Sequence, residues 1–189
     1  LSKAANVASP GVLGSIGAFI SLDTSLQVST FPAGTTLDYT KNGSAAVLNL
    51  PAGSTVLYAE LVWGGLFRSS ANNISALLDN PVEFITPSGS NSIAPDVSTK
   101  QNFNITEEGV TLGFYVRTAN VTTLVKNAMN GTYSTGKVPA LIEAIDARTS
   151  ETNHAGWTLA VVYENASLPL RDLTVWSGGV VVSPSVGST

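Results

Sequence analysis

Apolar positions in this chain recur every second residue or in unbroken runs of strand length, and hardly ever with the 3.6-residue period of a helix. The runs are separated by Gly, Pro, Asn and Ser, the residues that punctuate strands. This pattern predicts strands over residues 17–22, 45–50, 55–63, 82–86, 112–117, 138–146, 158–164 and 173–177, with a further edge segment over 180–183. Turn chemistry sits between them: Pro51-Ala-Gly53, Pro87-Ser-Gly89 and Asn130-Gly131. One helix is predicted over residues 121–129, with Asn120 as its cap, Leu124, Val125 and Ala128 on one side and Gly131 as its stop. Its length suits a lid over one end of a sandwich.

Two strands are apolar on both faces. Over 55–63, Leu57, Ala59, Leu61 and Trp63 fall on one face and Val56, Tyr58, Glu60 and Val62 on the other. Over 158–164, Leu159, Val161 and Tyr163 oppose Ala160 and Val162. Such strands belong at the centre of a covered sheet, or in a sandwich with a partly buried outer face. Helical connectors are nearly absent, which argues against a parallel α/β sheet. The expected fold is all-β: an antiparallel two-sheet sandwich, jelly-roll-like, of about 8–10 strands with one short helix. Residues 1–16 read as a linker or N-terminal extension, 17–182 as a single β-sandwich domain, and 183–189 as a linker to downstream modules. The polar stretch 88–104 reads as one long loop.

Composition narrows the chemistry. Charged residues make up 12% of the 189 positions, about half the usual share. Ser, Thr, Asn and Gly fill the polar positions, a common look for secreted β-proteins. With no Cys there is no disulfide framework, thiolate zinc site or Cys nucleophile. The single His excludes the usual poly-His catalytic metal site. A net charge of −4 with scattered basic residues argues against nucleic acid as a partner. No run approaches the roughly 18 consecutive apolar residues of a membrane helix, so direct membrane insertion is not expected.

Two segments carry a resemblance. The first is Leu50-Pro-Ala-Gly-Ser-Thr-Val-Leu-Tyr-Ala-Glu-Leu-Val-Trp-Gly-Gly65. The second is Ala155-Gly-Trp-Thr-Leu-Ala-Val-Val-Tyr-Glu-Asn-Ala-Ser-Leu-Pro-Leu-Arg-Asp-Leu-Thr-Val-Trp-Ser-Gly178. With Tyr115-Val-Arg-Thr-Ala-Asn-Val-Thr-Thr-Leu-Val125 between them, their order and spacing over residues 35–180 resemble the N-terminal, non-repeat domain of large bacterial surface proteins, mostly Gram-positive. In those proteins the domain precedes arrays of immunoglobulin-like repeats. Two positions depart from the family pattern: Glu60 stands where a small residue is expected, and Trp176-Ser-Gly-Gly179 replaces Phe-Asp-Gly, which removes an Asp able to ligate a metal. The resemblance implies a secreted, cell-surface or wall-attached β-domain within a longer chain, with an adhesive or structural role. It supplies no catalytic residues.

The residues themselves offer binding groups rather than catalytic ones. Trp63 before Gly64-Gly65, and Trp157 after Gly156, read as aromatic platforms for sugar or peptide stacking, or as core residues beside a glycine bend. Together with Arg68, Asn72, Asn73 and His154 they form the candidate ligand-binding set, on or beside loops 66–80, 88–111 and 147–156. No cofactor is expected. Calcium suits secreted β-domains, but no D-x-D-x-D or EF-hand spacing occurs, and Glu107-Glu108 and the Glu143, Asp146 pair are the near clusters of acids. Glu60 is the acid best placed for burial. Its candidate partner is Arg117 or Arg171; alternatively it is the buried acid beside an isopeptide crosslink between a lysine (Lys41, Lys100, Lys126 or Lys137) and an Asn or Asp on a neighbouring strand. Six N-x-[ST] sequons begin at Asn42, Asn73, Asn104, Asn120, Asn130 and Asn165, a number that the Ser and Thr content makes unremarkable by itself.

The expected function is therefore a non-enzymatic extracellular module, the adhesion or ligand-binding head of a bacterial surface protein. Its partners would be a host or neighbouring-cell protein or glycan, or copies of itself. The alternative is a structural fibre or stalk subunit that assembles by strand addition through the apolar segment 12–22. A glycan-active enzyme would need two converging acids among Glu143, Asp146, Glu151 and Glu164.

Overall fold

The computed structural model describes residues 2–4, 16–107, 109–143 and 153–180. The described residues are 46% strand and 10% helical, consistent with an all-β sandwich of stacked antiparallel sheets with one α-helix. The strands are β1 (Ser2–Ala4), β2 (Ile16–Ile20), β3 (Thr35–Thr36), β4 (Gly43–Leu48), β5 (Thr55–Arg68), β6 (Val82–Thr86), β7 (Gly89–Ile93), β8 (Gln101–Glu107), β9 (Val110–Asn120), β10 (Gly131–Gly136) and β11 (Ala155–Glu164). The helix α1 spans Thr122–Ala128. One four-stranded sheet runs β4-β10-β6-β7, the second runs β11-β5-β9-β8, and β1-β2-β3 form a small third sheet.

The core lies between the two larger sheets. Val56, Leu61, Trp63 and Phe67 of β5 meet Val82 and Phe84 of β6, Tyr133 of β10 and Tyr115 of β9. Each such aliphatic or aromatic side chain removed from water contributes about 1.5–3 kcal/mol. The helix closes the assembly by packing on β5 and β6. Val125 is its buried residue; the N-cap is Val121 and not the expected Asn120, which lies one residue earlier and whose Oδ1 accepts from Thr122 N–H.

The register of β5 corrects one reading. Tyr58 pairs with Val162 and Val56 with Tyr163, so Leu57 is an extra residue in β5. That bulge reverses the facing of the residues before it. Val56 enters the core at 1% exposure and Leu57 turns out to solvent at 48%.

Three more expectations change. Residues 88–104 are not one loop: β7 forms a hairpin with β6 through Gly89, whose φ is +136°, and β8 begins at Gln101. Residues 138–143 are not a strand, because Pro139 cannot donate to a ladder and the stretch spreads its bonds over several partners. Asn42 holds Val138, Tyr115 O–H donates to Pro139 O, and Leu141 N–H donates to Leu66 O. The central strand in that region is instead the polar Gly131–Gly136. Residues 173–177 have strand sequence but no strand pairing. Residues 2–4, read as part of an extension, form β1. Residue 1, residues 5–15, 108, 144–152 and 181–189 lie outside the described residues, and with them Glu108, Asp146, Arg148, Glu151, most of the 1–16 extension, most of the 180–183 segment and the 183–189 linker.

Three asparagines fasten distant segments by the same device. Each amide bonds both the N–H and the C=O of one remote residue: Asn42 with Val138, Asn130 with Leu50, and Asn153 with Glu143. The first two begin sequons, so at those positions the nitrogen that a glycan would occupy is already bonded to main chain.

Candidate functional site

β5 ends at Arg68, where the chain reverses. Ser69 N–H donates to Asn72 O, Ile74 N–H donates to Phe67 O, and Arg68 bridges to Asn73. Beneath this turn lies Glu143, 3% exposed. Its Oε1 accepts from Ser69 Oγ at 2.8 Å and from Asn72 Nδ2 at 2.7 Å. Asn153, 1% exposed, holds the Glu143 main chain and also donates to Ile16 O at 2.7 Å. His154 follows; its ring stacks on Phe114 at 5.3 Å between centroids, and its carbonyl accepts from Leu66 N–H.

Arg68, Asn72, Asn73 and His154 are thus gathered, exposed, at one end of the β11-β5-β9-β8 sheet. The two tryptophans do not join them. Trp63 and Trp157 face each other across β5 and β11, further along the sheet. Trp63 is enclosed in the core, so it offers no stacking platform; its packing is the structural one. Trp157 is half-buried, and its Nε1 donates to Ser44 Oγ at 2.9 Å, reaching from one sheet to the other.

That contact marks the larger feature. β4 and β11 are edge strands of different sheets, and they flank one side of the sandwich. Between them runs a groove of about 410 Å³ lined by residues 44–48 of β4, residues 156–159 of β11, and Tyr133. Ala45, Ala46, Val47, Leu48, Trp157 and Leu159 give it apolar surface beside the polar surface of Ser44, Thr158 and main chain, and Val47 is 73% exposed. Each edge leaves half of its main-chain N–H and C=O groups without a ladder partner. The groove therefore offers apolar surface and strand-forming main chain together, which is the requirement for holding an extended segment.

Several other ionisable groups among the described residues are engaged within the fold. Tyr58 O–H donates to Glu60 Oε2 in a short bond, and this bond, with burial, pushes the Tyr58 hydroxyl up to about 12. Glu60, 4% exposed, is thus held by a tyrosine, not by Arg117, Arg171 or a lysine. Arg117 instead pairs with Asp79 at 2.9 Å and lies 5.4 Å from the centre of the Tyr115 ring. The bonds from Lys100 and then Arg117 hold the Asp79 carboxyl below its usual range. Glu143 and Glu164 stand at opposite ends of β11 and do not converge. Among the described residues no group of three or more His, Asp or Glu side chains is placed to hold a metal ion.

Comparison with protein-family models, with curated proteins and with solved structures finds no match.

Sequence reasoning missed the groove and the Glu143 cluster. The unbroken apolar run Ala45-Ala46-Val47-Leu48 was the available signal for the groove, since an edge strand with one solvated face should alternate. The Glu143 cluster gave no local signal: its members Ser69, Asn72 and Asn153 are separated by ten to 74 residues from the acid.

Proposed function

We propose that this chain is a non-enzymatic binding module of a bacterial cell-surface protein, and that it binds by taking an extended polypeptide segment into the groove between β4 and β11. The observation that carries the reading is the groove itself: two strand edges and a lining that includes Val47, Leu48, Trp157 and Leu159. The resemblance of residues 50–65 and 155–178 to the N-terminal domains of large surface proteins supports the extracellular setting. Strand addition takes its affinity from main-chain hydrogen bonds and its selectivity from alternate side chains.

The test is an array of extracellular matrix proteins and glycans, probed with the 189-residue chain and two variants. Val47→Lys places a charge in the groove. A quadruple alanine variant at Arg68, Asn72, Asn73 and His154 removes the exposed end cluster. Protein ligands lost roughly tenfold or more with Val47→Lys and kept by the quadruple variant support the groove, tenfold being about 1.4 kcal/mol. Binding that survives Val47→Lys and disappears in the quadruple variant moves the site to the end cluster and overturns the reading.

A further inference from the structure

Beyond β11 the chain continues through residues 165–180 without pairing, and every residue of 166–180 is exposed. The segment is not polar. Leu168, Leu170, Leu173, Val175, Trp176 and Val180 supply half of the large exposed hydrophobics among the described residues, with Leu170 at 103% and Trp176 at 91%. A single Trp ring accounts for about 150–250 Å² of buriable surface, so this group exceeds the few hundred Å² normally left open on a monomer.

Both ends of the segment are fastened. Asn165 Nδ2 donates to Ala52 O and Ser54 Oγ, beside the start of β5. Gly179 N–H donates to Gln101 Oε1 of β8, the opposite edge of the sheet from β11. Gly179 lies close to the sheet: a β-carbon there would come within 3.1 Å of the Phe103 ring, a tight contact that the ring would have to yield to. Between these anchors the segment arches off the sheet and leaves a gap of about 540 Å³ over Leu57, Val162 and Tyr163. The arc is led away from its own β4–β11 groove, which lies on the other edge.

Among the described residues the chain therefore carries a strand-forming segment that pairs with no strand, and two strand edges that flank a groove. Over 173–177, Leu173 and Val175 alternate with Thr174 and Trp176. The five positions match in length the stretch 44–48 that lines the groove. We propose that segment 168–177 of a second copy of this chain is the occupant of the groove, added as a strand beside β4 or β11. This rests on the groove being a strand-binding site, and it names the partner as the chain itself. It also relocates the donor. The N-terminal segment expected for strand addition is engaged at Ile16–Ile20, which pairs as β2 and places Phe19 in the core.

The chain has no cysteine, so introduced thiols report without background. Val47→Cys and Leu173→Cys lie at positions 73% and 63% exposed and leave the core untouched. The two single-variant proteins are mixed, oxidised and resolved on a non-reducing gel. The mixed dimer should exceed either self-dimer by roughly tenfold, and adding Trp176→Asp to the Leu173→Cys chain should remove most of it. Equal or dominant self-dimers, no mixed dimer, or a crosslink confined within single chains of the double variant would each overturn the proposal. A ten-residue alternating Val-Thr peptide separates the two readings. If it protects Val47→Cys from alkylation while the mixed dimer fails to form, the groove binds strands but the second copy is not the donor. If neither happens, the groove reading falls too.

Discussion

Replacing Asn42 by Ala removes one of the three amide clasps and tests whether they organise the fold. Asn42 is 4% exposed; its Nδ2 donates to Val138 O at 2.8 Å, and Val138 N–H donates to its Oδ1 at 3.0 Å. Val138 is fully buried, so water cannot replace either bond. A buried polar group left unpaired costs about 1–3 kcal/mol, and two are orphaned here, so the expected loss is about 3–4 kcal/mol. For a chain of this size each kcal/mol moves the melting temperature by about 2–4 °C, which predicts a fall of roughly 6–16 °C. Urea unfolding gives the free energy directly, and the m-value should not change, because the surface exposed on unfolding is the same. Asn42→Asp is the internal control. At neutral pH it sets a carboxylate oxygen against the Val138 carbonyl and should cost at least as much as alanine. Protonated, it can donate to that carbonyl, so its deficit should shrink as pH falls below the ordinary carboxyl range. A loss under about 1 kcal/mol for Asn42→Ala, the size of a surface change, would refute the role given to the clasp.

The other predictions also contrast neighbouring positions. Gly64 and Gly156 face each other across β5 and β11, yet a β-carbon at Gly64 would lie 2.3 Å from Tyr115 O while one at Gly156 meets nothing within 4 Å. Gly64→Ala should lose about 3 kcal/mol or more in urea unfolding and Gly156→Ala should stay within about 0.5 kcal/mol; similar losses would count against the close β5–β9 approach. At the bulge, Val56→Ala should cost about 2 kcal/mol and Leu57→Ala well under 1 kcal/mol, the reverse order meaning that β5 keeps regular alternation. Tyr58, held up to about 12 against an ordinary value of 10, contributes stability that is complete below pH 10 and lost as pH rises toward 12. The difference in stability between the native chain and Tyr58→Phe should therefore shrink over that window, and a constant difference would mean that Glu60 does not hold the hydroxyl.

Much of the sandwich was legible because its strands bury apolar side chains at strand spacing. The strand read over 82–86 is β6 residue for residue, and the strands read over 55–63, 112–117 and 158–164 fall within β5, β9 and β11. The failures share a cause: pairing is decided by partners that local pattern does not reveal. Gly131–Gly136 holds only one large apolar residue, Tyr133, yet β4 and β6 flank it on both sides, so Ser134 and Thr135 are buried as ladder residues. Gln101–Glu107 alternates Phe103 and Ile105 with Asn and Thr, a strand signal submerged in a polar stretch. The same reason hid the site. Trp157, chosen for its ring, does line the groove, but β4 on the facing side was visible only as one more apolar strand.

The scarcity of charge has a structural location. The outer face of the β11-β5-β9-β8 sheet carries Val62, Phe103, Phe114, Val116, Ala160 and Val162, all half-buried, where the solvated face of an antiparallel sheet would carry polar residues. Its acid, Glu60, is withdrawn under Tyr58. The 165–180 arc crosses this face and is itself apolar, so the arc and the face leave the same kind of surface uncovered. A core between two sheets accounts for apolar residues on their inner faces only. Among the described residues the arc stays exposed, and in the proposed exchange moving it into a neighbouring copy would bury its Leu173 and Val175 in the β4–β11 groove while opening the outer face to the next chain. Under the proposed strand exchange, low charge would serve an assembling surface as much as a thick core, and substitutions that add charge at Leu170 or Trp176 should raise solubility while weakening the proposed association.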